Sequence, residues 1–246
     1  MKFKIITLIF VLIIGLEITL KIDLFLIILT LILYLIIVIY GSSVICSNFY
    51  FKSFCKKKTN KKIFAITFDD GPNKEFTPKF LDVLNKENIP ATFFCIGKNI
   101  EKNTNIAKQI SKNHLLANHS YSHSNFFDIY PSSRVIDEIK KTNKLIKDIT
   151  GNNNLYFRPP FGVTNPNIAK AISKLNIKSI GWSIRTFDTT NKTEKNIFND
   201  FKKNITGGDI ILLHDNNQKT LNLLTKIIKY AQKNDFKIVS LEELIN

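Results

Sequence analysis

Cysteine is scarce in this sequence, with three residues in 246, and so are glycine (9), proline (7), histidine (4) and tryptophan (1). Three cysteines exclude a disulfide framework of the small secreted kind, and so little glycine and proline excludes a collagenous or low-complexity chain. Cys46 and Cys55 flank the end of an apolar region, while Cys95 sits in the apolar run Ala91 to Ile96, where a free thiol behaves as a small hydrophobe. Acid is the other shortage: 20 Asp and Glu face 35 Lys and Arg, a formal net charge of +15. Such a surplus attracts nucleic acid, anionic lipid or acidic glycan. Here the lysines are scattered through Lys/Asn/Ile-rich segments without the interleaved aromatics of a nucleic-acid surface, so no nucleic-acid partner is expected. What abounds is apolar, 44% of the chain against 22% charged, enough to fill a core.

The apolar residues are unevenly spread. Leu24 to Phe51 carries no charge, and Leu24 to Tyr40 is nearly all Leu, Ile, Val and Phe, close to the roughly 20 residues needed to cross a bilayer. A second run, Ile5 to Leu20, has Glu17 as its one charge and is separated from the first by Lys21 and Asp23, which permits a two-helix hairpin. A cleaved signal peptide is the alternative, but the region exceeds a signal core and no A-x-A-like site follows it. Residues 1–51 are read as an uncleaved membrane anchor of one or two helices. Residues 52–62, with Lys56, Lys57, Lys58, Lys61 and Lys62, read as a basic linker in weak contact with lipid head groups.

From residue 63 to the end, short β-rich runs alternate with longer amphipathic ones. Strands are expected at Ile63–Phe68, Ala91–Ile96, Leu115–Asn118, Leu155–Phe157, Ser179–Trp182, Ile210–Leu213 and Lys237–Val239, and helices at Thr77–Glu87, Asn103–Ser111, Ser132–Ile149, Pro166–Leu175, Glu194–Asn204 and Lys219–Lys233. This order favours βαβ crossovers and a parallel sheet, either an open doubly wound sheet or a barrel. Polar residues decide between them. Asp69 and Asp70, His119, Arg158, Asp188 and His214 each fall just past the C-terminal end of a strand, the face on which a parallel barrel gathers its active site. The expected fold class is α/β, a distorted or incomplete (β/α) barrel.

His119 and His123, four apart, would lie on one side of a helical turn and share a metal. Ser120 rather than Glu follows the first His, which argues against a zincin, so a general base must come from elsewhere. Asp69-Asp70-Gly71-Pro72 supplies adjacent carboxylates on a tight turn, one to bind metal and one left free. Two His and one Asp leave an open position on Zn²⁺, the arrangement of a hydrolytic site. His114 and Trp182 read as structural.

Four ordered motifs now stand together: Thr67-Phe68-Asp69-Asp70-Gly71-Pro72, Asn118-His119-Ser120-Tyr121-Ser122-His123, Phe157-Arg158-Pro159-Pro160-Phe161-Gly162 and Leu212-Leu213-His214-Asp215. Over roughly residues 61–240 the chain resembles a polysaccharide deacetylase, the NodB-homology family of carbohydrate esterases. The resemblance implies a divalent metal, zinc first and cobalt or another transition metal next, held by Asp70, His119 and His123. It implies Asp69 as general base, kept ionised by Arg158, and His214 as general acid, oriented by Asp188. It also implies that the backbone N–H of Phe161 takes the oxyanion and that Leu212 lines the acetyl pocket.

A further family motif, between the third and the last of these, is altered, because Arg185 stands where the family has an acid and Thr189 where it has Trp. The expected activity is removal of N-acetyl groups from an amino-sugar polymer, cell-wall glycan above all. The competitors are an O-acetyl esterase of xylan type and a silent glycan binder. Such a substrate places the catalytic domain outside the cytoplasm, by a single pass with the N-terminus inside. A hairpin with both ends in the cytosol suits the positive-inside rule better, and a hairpin with both ends outside is also allowed.

Overall fold

Ile63 to Asp69 alternates β-branched, aromatic and small residues and, from Phe64 on, buries side chains on both faces, as only a central strand of a covered parallel sheet does. The computed structural model describes residues 2–246. In chain order the elements are α1 (Lys2–Thr19), α2 (Leu24–Ser43), β1 (Ser53–Phe54), β2 (Ile63–Asp69), α3 (Phe76–Lys86), β3 (Thr92–Cys95), α4 (Gly97–Lys102) and α5 (Thr104–Asn113). There follow β4 (Leu115–Asn118), α6 (Ser132–Thr150), β5 (Tyr156–Phe157), α7 (Pro166–Leu175), β6 (Lys178–Ile180), β7 (Ile184–Arg185), α8 (Glu194–Asn204), β8 (Asp209–His214), α9 (Gln218–Lys233), β9 (Lys237–Ile238) and α10 (Leu241–Ile245).

The strands run in the order β1-β6-β5-β4-β3-β2-β8-β7, with β9 also beside β2, and every ladder is parallel. Among the described residues β1 and β7 do not pair with each other, so the sheet curls into a barrel left open between them. Phe68 packs between the sheet and α3, stacked on Phe93 at 4.8 Å and edge-on to Phe80 at 5.2 Å. Each such fully buried side chain contributes roughly 1.5–3 kcal/mol. Helices begin where the sequence offers caps: Asn165 before Pro166, Thr193 and Asn217 each accept a backbone N–H of the first turn.

Every expected strand and helix is present within a few residues. β1, β7, α4 and α10 were not anticipated, and the sixth strand stops at Ile180, which leaves Trp182 beyond it.

α1 and α2 pack antiparallel as a hairpin, with Thr7 Oγ1 3.0 Å from the Tyr34 hydroxyl and the Thr30 hydroxyl donating to Glu17 at 2.7 Å. Apart from Gly41 none of their described residues is buried, and α2 is the helix long and apolar enough to cross a membrane. The start of α1 and the end of α2 both meet the remaining fold: the Phe3 N–H donates to Phe49 O at 3.1 Å, and Thr164 donates through its N–H to Ser42 O and through its hydroxyl to Gly41 O at 2.8 Å. Cys46 and Cys55 form a disulfide, and Cys95 is free and buried as expected. The segment 52–62 contributes β1, and Lys56 pairs with buried Asp209 at 2.7 Å.

Candidate active site

Sheet register collects the polar residues. Asp69 ends β2 directly opposite His214, which ends β8. Cys95, Asn118 and Phe157 are successive partners across β3, β4 and β5, so the next residues, His119 and Arg158, leave the sheet side by side. His119 Nδ1 is 2.7 Å from the Arg158 carbonyl oxygen, which makes Nδ1 the protonated nitrogen and turns the Nε2 lone pair inward.

His119 and His123 do not share a helical turn. Residues 119–123 are a loop in which Ser120 (φ 62°) and His123 (φ 46°) take left-handed backbone, and this folds the two rings to 4.8 Å. Glu138 of α6 holds the loop by accepting from the Tyr121 N–H at 3.0 Å, the Ser122 N–H at 2.7 Å and the Ser122 hydroxyl. Asp70 Oδ1 lies 3.5 Å from His119 Nε2 and 3.4 Å from His123 Nε2 and is buried without a hydrogen-bond partner. One ligand atom from each of the three residues lies within 4.8 Å of the others. Burial, and then the neighbouring His123, lowers the His119 pKa to about 3, so the imidazole is neutral and its lone pair available. An orphaned carboxylate oxygen between two imidazole nitrogens is a donor set that fits a divalent transition metal.

Asp69 is buried, and Arg158, fully buried itself, donates to its Oδ1 at 2.6 Å. Arg158 is fixed by the carbonyl oxygens of Ile180 and Gly181 and by the Thr67 hydroxyl. Burial raises the Asp69 pKa and the guanidinium opposes that rise, which leaves a carboxylate of enhanced basicity. On the other wall His214 Nδ1 donates to Asp188 Oδ1 at 2.9 Å, and the His214 N–H donates to Asp188 Oδ2 at 2.8 Å. Asp188 is fully buried and also accepts from Thr186 and Thr220. Burial alone would lower the His214 pKa, but the bond and charge of Asp188 lift it to about 9.

With His214 as the expected general acid, a pKa of about 9 keeps it protonated to high pH, and the alkaline limb of kcat/KM is expected near pH 9. Asp188→Asn removes the charge that raises His214, and the limb is expected to move toward the ordinary histidine value of about 6.5. A pH–rate profile checks this; an unmoved limb would remove His214 from the acid role.

Asp69, Asp70, His119, His123, Phe161, Leu212 and His214 line one cavity of about 260 Å³, and Gly162, Trp182, Arg185 and Thr189 complete it. Phe161 takes φ 59° and sets its ring 4.7 Å from that of His123. Trp182 is thus a wall of the site rather than core; it packs where a Cβ on Gly162 (φ 70°) would fall. Its place two residues past the end of β6 was the signal. His114 is buried against Phe93 without a hydrogen-bond partner, a structural residue.

Residues 56–180 match the polysaccharide deacetylase family. Over 195 residues, 76% of this chain and 89% of the relative, the sequence is 35% identical to a peptidoglycan-N-acetylglucosamine deacetylase of Bacillus cereus. The crystal structure of a peptidoglycan N-acetylglucosamine deacetylase superposes with a TM-score of 0.73 at 34% identity, covering 78% of this chain and 91% of that one. A CE4 family pseudoenzyme from Bacillus anthracis superposes with a TM-score of 0.74 at 26% identity, covering 79% and 69%. On sequence and fold together, the chain belongs to the polysaccharide deacetylase family.

Proposed function

We propose that this chain is a membrane-anchored, metal-dependent deacetylase that hydrolyses N-acetyl groups of cell-wall glycan. The observation that carries the reading is the single cavity in which the unpartnered Asp70 Oδ1 and two imidazoles face a buried Asp69–Arg158 pair on one side and a His214–Asp188 pair on the other. Asp70, His119 and His123 hold a divalent metal, zinc or cobalt by donor type. When bound it supplies Lewis-acid stabilisation of charge at the reacting carbonyl and acidifies water. Asp69 takes the proton from the attacking water, with Arg158 keeping the carboxylate ionised. The backbone N–H of Phe161 receives the developing oxyanion, and Leu212 and Trp182 wall the acetyl methyl group. His214, poised protonated by Asp188, gives its proton to the departing amine, so that water and amide become acetate and a free amino sugar.

The competing reading is a silent glycan binder, favoured by the likeness to a pseudoenzyme. Acetate release by the full-length chain in detergent from peptidoglycan, chitin oligomers and acetylated xylan decides among them. Release from xylan alone would favour the O-acetyl esterase, and release from none the binder. Full length matters, because truncation at residue 60 would remove β1 and the Lys56–Asp209 pair.

For the anchor we propose a hairpin of 1–51 that crosses the bilayer twice, tied through 52–62 to a catalytic domain of 63–246 outside the cytoplasm. α2, 20 residues long, spans about 30 Å, the thickness of the hydrocarbon core, and α1, 18 residues long, packs along it with Lys2 and Lys4 at its outer end and Glu17 bonded by Thr30. The N-terminus then shares the side of the catalytic domain, unlike the single pass with the N-terminus inside. The Cys46–Cys55 disulfide supports an oxidising exterior. The positive-inside preference points the other way, but large domains cross largely regardless of charge. Protease added to intact cells is expected to digest both the catalytic domain and an N-terminal epitope tag; protection of the tag alone would restore the single pass, and protection of both would place the domain inside.

A further inference from the structure

The active-site cavity has one charged side chain that the chemistry above does not use. Arg185 ends β7 opposite Leu212 of β8, two residues before His214. It is exposed at the cavity wall, with its guanidinium carbon 5.0 Å from the centre of the Phe187 ring and 5.8 Å from that of Trp182. Trp182 packs against Gly162, and Phe187 is an exposed ring on left-handed backbone at φ 57°. Among the described residues Arg185 has no ion-pair partner: Asp200, which shares the neighbouring groove, is taken by Lys192, and the buried carboxylates of the site are taken by Arg158 and His214.

A guanidinium held within cation–π range of two rings and without an ion-pair partner has N–H donors to offer, and its planar fork matches a carboxylate or phosphate. A neutral acetamido sugar offers nothing that requires such a fork. Resting on the deacetylase reading, we infer that Arg185 is an anion subsite, and that the preferred substrate is an acetamido sugar bearing a carboxylate or phosphate beside the scissile acetyl group. The subsite stands next to the reacting centre without touching it, so it acts on substrate choice.

The test uses the full-length enzyme in detergent with three oligosaccharides of equal length: neutral N-acetylglucosamine units, the same with a 3-O-lactyl carboxylate, and the same with a 6-phosphate. Wild type is expected to favour one anionic substrate by about tenfold in kcat/KM, the low end for a charge-assisted bond at a solvent-facing site. Added salt should shrink that preference. Arg185→Gln should bring the anionic-to-neutral ratio near one and Arg185→Glu below one. Whichever anion shows the larger ratio names the group. A wild-type ratio near one, or a ratio untouched by Arg185→Gln, overturns the subsite. Calorimetric binding of the same three oligosaccharides reads the subsite without turnover. If no acetate is released from any of them, the deacetylase reading fails. Anionic binding preference lost in Arg185→Gln then still upholds the subsite, and equal binding removes it.

Discussion

Asp69→Asn is expected to lower acetate release by roughly 10² to 10⁴, the range of general-base catalysis, with metal content unchanged. An amide cannot take the proton from water, yet its Oδ1 can still accept the Arg158 N–H that lies 2.6 Å from the carboxylate. That retained bond matters for interpretation. Arg158 is fully buried, and removing the partner of a buried charge outright costs about 3–5 kcal/mol, enough to unfold part of the protein and mimic a catalytic defect. Asp69→Ala should therefore lose stability as well as activity, whereas Asp69→Asn should lose activity with a much smaller fall in Tm. Kinetics, metal analysis and thermal denaturation on the two variants separate the roles. Metal lost from Asp69→Asn, or full turnover retained, would show that Asp69 is not the base.

His119→Ala should produce the opposite signature. The imidazole is nearly inaccessible, its Nδ1 is tied to the Arg158 carbonyl, and its Nε2 is one of two nitrogens facing Asp70 Oδ1. Removing it leaves two protein ligands. Metal affinity is expected to fall by more than the roughly 10- to 100-fold caused by losing a residue that merely supports a ligand. Activity should fall with occupancy and return in part when metal is supplied in excess. Metal titration with activity read alongside checks this. Wild-type affinity in His119→Ala would place the metal elsewhere, and a loss of activity that excess metal never rescues, at full occupancy, would give His119 a different part in the reaction.

The contrast between these two histidine and aspartate positions shows what sequence pattern conveys. Convergence of the motifs on one face was legible because Asp69, His119 and His214 lie at the ends of β2, β4 and β8, strands of four or more patterned residues, and parallel register carries strand ends to a common edge. β1 and β7 were not legible, since each sets one apolar residue, Phe54 or Ile184, beside a polar one and no apolar run extends it. The route by which His119 and His123 meet was also hidden. Spacing of four suggested a helix, while the actual loop depends on left-handed backbone at Ser120 and His123 and on Glu138, fifteen residues farther along. Arg185 was visible as a departure from a motif, but its lack of an ion-pair partner is a property of the fold.

The two hydrogen bonds from Thr164 to the end of α2 set a limit on the working range of the molecule. Thr164 lies three residues from Phe161 on the rim of the cavity, so the mouth is held to the hairpin by direct hydrogen bonds and not through the chain alone. With the hairpin in a bilayer, such a head cannot search outward. A folded unit of this size is roughly 40 Å across by ordinary scaling of compact domains. On the proposed anchoring and activity, the catalytic zone would be a thin sheet of space directly above the lipid, and glycan already farther out would keep its acetyl groups.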